Sequence, residues 1–558
     1  MFSKTREKIE FCDIVFLVAI VFVGGFNEYI SCLLSCVLIG YLFARYILKK
    51  SIYYKQNFLT ISVAIICVSY GLTCFWAIDS GMAFIGFLKF LPVLLYIVAN
   101  CQSEGKSKVL EYIPYFATII VIVSIIGSRI PALKEFFLVA GRFAGVFQYP
   151  NTFALFLLIC ELLLLKKFRF NVINCICMLI LSGGLLYTGS RTVFVLFLLS
   201  NFVLLLVLVK RRARIVFIIS AIVGVFALIG SLYIFKDNPI INRYLNIDFG
   251  ASTFIGRLLY FRDALPLLLK YPFGMGYMGY YYIQHTIQSG VYNVVYVHND
   301  FLQFFLDVGI IPATLFIVAV ARYFFKKNVE LSQKIIVATF CLHTLFDFNL
   351  QYVAMFFFLL LLLDTGEGEK TKKIKKSIFI KLAMIVMIVV NLYMATALIF
   401  AHYNAYDVAT AMYPYNTRCN LLVLERETDL QEANELADRI IKQNDTYFAP
   451  YSVKSKYAYS IGDFAEVINN KNSVFIRYPF RYTEYKEYCV MLINGVVAFS
   501  RQGDTQSVKA CNDEIIAASE KLQLNKERLS KLGSMIDEQP VFNFSEDVLE
   551  YINKIKEE

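Results

Sequence analysis

The 558-residue chain has no CxxC pair at metal-binding spacing and no GxxxxGK[ST] loop, so it lacks common zinc-ribbon and nucleotide-binding signatures. Its 13 cysteines form no disulfide framework. Ten lie at or before Cys341, nearly all in or beside apolar runs, where a cysteine behaves as a small hydrophobe. The remaining three, Cys419, Cys489 and Cys511, are widely spaced and odd in number. Also missing is the polar–apolar alternation of a barrel strand. "VLFLLSNFVLLLVLV" (195–209) is apolar on every side, so the chain is expected to cross a membrane as helices. There is no clear internal repeat. No small-residue cleavage site follows the first apolar run, which is therefore expected to stay as an anchor.

What is present is oil in long stretches. Hydrophobic residues make up 58% of the chain and mean hydropathy is +0.59, more apolar surface than a soluble core absorbs. Runs near spanning length fall at 11–26, 29–48, 58–77, 81–99, 112–128, 151–166, 171–187, 192–209, 215–235, 301–325, 335–348, 351–363 and 378–400. The expected fold is an all-α polytopic membrane protein of about 12–13 spans over residues 1–402, followed by a helical domain over 403–558. The net charge of +11 sits mostly in short clusters between spans, among them Arg45, Lys49, Lys50 and Lys55, "KRRAR" (210–214), and "KTKKIKK" (370–376). Such clusters mark cytoplasmic loops rather than a nucleic-acid surface. With the N-terminus inside, an odd span count puts residues 403–558 outside the cytoplasm.

This topology collects four polar segments at the outer face: "GRFAGVFQYPN" (141–151), "TGSRT" (188–192), the large loop about 236–300, and "HTLFDFN" (343–349). Each has a plain reading of its own. Arg142 is placed to snorkel to headgroups, Arg191 to anchor a helix end, Arg262 to pair with Asp263, and His298 to bond a carbonyl. Gly274, Gly276 and Gly279 allow either a sharp turn or a close backbone approach to a ligand. Taken together, Arg142, Arg191 and Arg257 put three permanent positive charges on the side that topology keeps poor in them, so something negative is expected to meet them. The guanidinium fork suits phosphate oxygens, and a nearby histidine suits removal of a proton from an attacking hydroxyl. This points to group transfer from a polyprenyl diphosphate. Lys89, inside a span, is expected to face the bundle interior, and Glu161 to pair with Lys166 or another base.

The ordered set "GRFAGVFQYPN", "TGSRT", "GR…YPFGMG" and "HNDFLQFFLDVGIIP" resembles the O-antigen ligase and polymerase superfamily over roughly residues 60–365. The resemblance implies a metal-independent, cofactor-free, inverting glycosyltransferase of the bacterial cytoplasmic membrane. It implies an undecaprenyl-diphosphate-linked glycan as donor and a lipid, glycan or protein hydroxyl as acceptor, at the outer face. Carried over by position, His298, Arg191 and Arg257 are the catalytic candidates, and Arg142, Arg191 and Arg257 bind the diphosphate. Asn299 and Asp307 are expected to support the helix start after His298, with His343 and Asp347 as further support. A polymerase or a protein O-oligosaccharyltransferase would share the donor. A polysaccharide or lipid-linked-oligosaccharide transporter is the rival from another class; it calls for charges along a path through the bilayer, whereas these gather on one face. Within the tail, residues 430–468 resemble a degenerate tetratricopeptide helix pair, which implies a scaffold for an acceptor or an envelope glycan-assembly partner.

Overall fold

The computed structural model describes residues 9–102, 108–209, 244, 252–364, 371–374 and 377–557. These fold almost entirely as helices, with two two-stranded ribbons, Ile52–Lys55 with Thr371–Ile374 and Leu138–Val139 with Arg142–Phe143. Six described helices have the length and apolarity to cross a membrane: Glu28–Lys49, Phe58–Phe75 (its last turn 3-10), Ser80–Asn100, Val109–Gly127, Arg191–Leu208 and Ile378–His402. Shorter apolar helices at Phe11–Val21, Pro150–Lys166 and Val172–Tyr187 cover three more of the expected spans. The expected span at 215–235 and the "KRRAR" cluster lie outside the described residues, as does much of the large loop before Ser252.

One apolar run is broken in two, and another is wholly interior. The 301–325 run is broken into Asp300–Val308 and Ile310–Phe324 by Gly309, at φ 90° and ψ 176°. The chain at Pro272–Gly274 comes against this break: the Ile310 N–H donates to the Pro272 carbonyl (2.9 Å), and a Cβ on Gly309 would lie 2.6 Å from that oxygen. Only glycine fits such a backbone. The 335–348 and 351–363 runs form separate helices, Leu331–Thr344 and Val353–Leu363, joined through a 3-10 turn at Asn349–Gln351. Every residue of Val353–Leu363 is buried. At 1.5 Å per residue its 11 residues extend about 16 Å, half a hydrocarbon core. It is an interior helix, and the irregular backbone before it is covered by protein rather than lipid.

One expected ion pair is replaced, and a second, Arg262 with Asp263, is supplemented by hydrogen bonds. Glu161 accepts from the Ser182 hydroxyl (3.1 Å), while Lys166 pairs with Glu330 (2.9 Å) from a neighbouring helix. Asp263 is held by the Ser289 N–H and hydroxyl (both 2.7 Å) and the Tyr292 hydroxyl (3.2 Å), which tie helix Ser252–Lys270 to the segment that follows it.

Beyond His402 the chain forms successive, mutually packed helices, including Leu430–Gln443, Ala449–Ser460, Phe464–Arg477, Tyr482–Gln502 and Thr505–Leu524. Asp429, Asp463 and Asp504 cap three of them by accepting backbone N–H groups. This region docks on the first part of the chain. Asn444 donates to Asp79 (3.2 Å), the Tyr413 hydroxyl to the Gly81 carbonyl (3.0 Å), and the Ser530 N–H to the Ser289 carbonyl (2.9 Å).

Candidate active site

Asp347 is the hub of a buried polar cluster. It lies in the segment linking Leu331–Thr344 to Val353–Leu363 and is 1% exposed. Its Oδ1 accepts from the Tyr149 hydroxyl (2.9 Å) and the Phe348 N–H (3.0 Å) and faces His298 Nδ1 at 3.3 Å. Its Oδ2 accepts from Asn151 Nδ2 (2.8 Å) and faces an Arg257 guanidinium nitrogen at 3.5 Å. Burial by itself would raise this carboxyl. The His298 hydrogen bond and the Arg257 charge outweigh it and hold Asp347 below the usual carboxylate range. An ionised, fully bonded carboxylate therefore joins four stretches distant in sequence.

His298 has φ +56°, a left-handed conformation uncommon for a residue with a Cβ and costing on the order of 1–3 kcal/mol. Its neighbours impose it. The Val297 N–H donates to the Gln303 side chain (3.0 Å), Asn299 caps helix Asp300–Val308 by accepting from the Leu302 N–H (3.0 Å), and Asp300 accepts from the Leu350 N–H (2.8 Å). The imidazole packs edge-on against Phe348 at 5.0 Å and keeps a fifth of its side chain exposed. With Nδ1–H donating to Asp347, Nε2 carries the lone pair, which is the tautomer a general base needs.

Arg142 Nη2 donates to Asn151 Oδ1 (2.9 Å) and Nε to the Thr188 carbonyl (3.1 Å), so it fastens the "TGSRT" turn to the hub. Arg191 opens helix Arg191–Leu208 three residues after that carbonyl. Arg257 lies in the second turn of Ser252–Lys270 with 15% of its side chain exposed. His343 Nδ1 accepts from Asn349 (2.9 Å), whose Oδ1 accepts from Thr152 (3.1 Å), which braces the segment carrying Asp347. Asp307 reaches the helix start through Gln303, whose side chain receives the Val297 N–H (3.0 Å). It occupies the last turn of a nine-residue helix and accepts from Tyr70 (2.8 Å) and Gln303 (2.8 Å). There its carbonyl also receives the Gly276 N–H (3.0 Å), and a Cβ on Gly274 would lie 2.4 Å from that oxygen. The glycine loop thus turns against protein backbone. Lys89 is buried behind the cluster, donating to the Phe26 carbonyl (3.1 Å) and the Tyr277 (3.2 Å) and Tyr296 (3.3 Å) hydroxyls.

The family model described as O-antigen ligase matches residues 176–317. Over that stretch, about a quarter of its length, the chain is similar to the O-antigen ligase family. Arg191, Arg257, His298, Asn299 and Asp307 lie inside the matched stretch, and Arg142, His343 and Asp347 outside it. No curated protein and no solved structure matches the chain. Sequence reasoning missed Tyr149, Asn151 and Asn349 as site residues. The first two sit in the quoted "QYPN" and the third in "FDFN", where hydrogen-bonding groups stand beside apolar helices; that placement was the available signal.

Proposed function

We propose that this membrane enzyme of the O-antigen ligase and polymerase family transfers a glycan from a polyprenyl-diphosphate-linked donor to an acceptor hydroxyl, with undecaprenyl diphosphate as the carrier. The observation that carries the reading is the His298–Asp347 pair, with Arg257 on the same carboxylate and Arg142 one residue away through Asn151. The acceptor oxygen attacks the anomeric carbon as its proton passes to His298 Nε2. The bond from that carbon to the phosphate oxygen breaks, its electron pair leaves with the diphosphate, and attack from the opposite face inverts the anomeric centre. Asp347 fixes the imidazole and stabilises the imidazolium. Arg257, Arg142 and Arg191 neutralise the charge that grows on the departing diphosphate. A glycan, lipid or protein acceptor would each be served by this chemistry, and the docked helical tail supports an acceptor or partner large enough to touch both regions.

The test is reconstitution of the purified chain in vesicles with a labelled polyprenyl-diphosphate oligosaccharide. Release of free polyprenyl diphosphate together with an acceptor heavier by the glycan supports transfer. Donor that crosses the bilayer with its sugar–phosphate bond intact supports a transporter instead.

A further inference from the structure

A cavity of about 240 Å³ opens where the tail docks on the membrane helices. The start of Glu28–Lys49 gives it Asn27, Glu28 and Tyr29, and the end of Ile378–His402 gives it Leu398, Ala401 and His402. Arg418 and Leu422 come from the tail helix Thr417–Arg426, so the cavity exists only in the docked chain. The bonds of Tyr413 to Gly81 and of Asn444 to Asp79 fasten that docking beside Met82, which also lines the wall.

Two opposite charges face this space without touching. Glu28 accepts from the Tyr277 hydroxyl (2.7 Å), and no other side chain among the described residues donates to it. Arg418, exposed, makes no hydrogen bond or ion pair with the described residues, although its charge and that of Glu28 act on each other. Behind Glu28 the Lys89 ammonium bonds Tyr277, so the carboxylate has a counter-charge within the protein. What the cavity offers a ligand is therefore not net charge. It offers a carboxylate acceptor and a guanidinium fork on one small surface, with an amide at Asn27. Tyr29 and His402 add two rings, with centroids 5.1 Å apart and planes inclined at 49°. A phosphate ester would set its charge against Glu28, and an alkyl group would take water from both ions and return nothing. A polyol donates to the carboxylate and accepts from the guanidinium.

We propose that this cavity binds a neutral sugar ring, one unit of a glycan, with its hydroxyls on Glu28 and Arg418 and its apolar face against Tyr29 or His402. The inference rests on the transfer reading for the source of that glycan. The Tyr277 hydroxyl bonds that of Tyr296 (3.0 Å), and the Tyr296 ring stands 5.2 Å from Phe348, which packs on His298. That wall separates the cavity from the base. The sugar held here is therefore not the one whose bond breaks but a unit farther along the chain, and the tail takes part in binding it through Arg418.

The test titrates the full chain, in lipid nanodiscs, with the free oligosaccharide that mild acid releases from the lipid-linked pool of the native host cell, followed by saturation-transfer NMR. Wild type should bind it, and Arg418→Gln and Glu28→Gln should each bind about tenfold more weakly, for loss of a bond to a charged group. In the transfer assay the same variants should raise the KM for the glycan substrate at unchanged kcat. Glu28→Gln keeps an acceptor for Tyr277, and Arg418 bonds no other side chain among the described residues; should one variant not purify as folded protein, the other decides. Binding that depends on these residues, in a chain that transfers nothing, refutes the transfer reading and keeps this site. Equal affinity in wild type and variants, or no binding of the oligosaccharide by wild type, overturns the site whether or not transfer is seen.

Discussion

Replacing Asp347 with asparagine removes one charge and almost no volume, so its effect isolates what the carboxylate does. Five donors converge on the two oxygens: His298 Nδ1, the Tyr149 hydroxyl and the Phe348 N–H on one side, Asn151 Nδ2 and Arg257 on the other. An asparagine has one acceptor oxygen. If its amide nitrogen takes the Oδ2 position, it meets Asn151 and Arg257 donor to donor. If it takes the Oδ1 position, it meets three donors and obliges His298 to accept at Nδ1, which puts the proton on Nε2 and removes the base. Either orientation leaves buried donors facing the amide nitrogen, at about 1–3 kcal/mol for each group left unsatisfied. The second orientation also costs the general-base contribution, typically 10²–10⁴ in rate. We expect transfer by Asp347→Asn to fall by about two to four powers of ten, measured as initial rate from a purified lipid-linked donor and normalised to protein extracted from membranes. A rate within about threefold of wild type, in protein of normal abundance, would refute the role assigned to this carboxylate.

Other consequences follow from the same structure. Gly309→Ala should abolish a monodisperse peak on size exclusion in detergent, because the new Cβ would lie 2.6 Å from the Pro272 carbonyl oxygen in a backbone conformation closed to alanine. Lys471, fully buried, bridges Glu484 and Glu487 at 2.6 Å each, so Lys471→Met should destabilise the tail by about 3–5 kcal/mol and hasten its limited proteolysis. His285 is enclosed by Tyr447, Phe448 and Tyr478, and burial with the nearby Arg481 charge lowers its pKa from 6.5 to about 3. The unfolded chain therefore binds this proton first as pH falls below 6.5, and stability drops by about 1.4 kcal/mol per unit, roughly 2 kcal/mol by pH 5. Thermal midpoints at pH 7.5 and 5 should show that loss in wild type and a smaller one in His285→Phe.

Apolar runs foretell helices in this chain because no other structure satisfies an oily backbone in lipid. They do not foretell which helices face lipid. Val353–Leu363 reads like a membrane span, yet all of it is interior, since a run of Leu and Phe is equally at home in either setting. Gly309 was visible as a residue but not as a break, because the need for glycine comes from Pro272 and Phe273 folding against it. Arg142, Arg257 and His298 stood out as charge or imidazole at the mouths of apolar helices, and the fold brings all three to one carboxylate network. Asp347 looked minor because its side-chain partners lie 49 to 198 positions away, a distance that local pattern does not bridge. Glu161 was legible as a charge in a span, but its hydroxyl partner was not, because serine carries no such signal.

The central claim is that His298 takes the proton of the acceptor as the diphosphate leaves. The measurement that meets it most directly is a single-turnover assay of wild type and His298→Ala, both loaded with a labelled polyprenyl-diphosphate glycan and then mixed with acceptor. The account predicts that both retain donor, since the arginines are intact, and that only wild type releases polyprenyl diphosphate and yields product of inverted anomeric configuration. Transfer by His298→Ala at near the wild-type rate would contradict it.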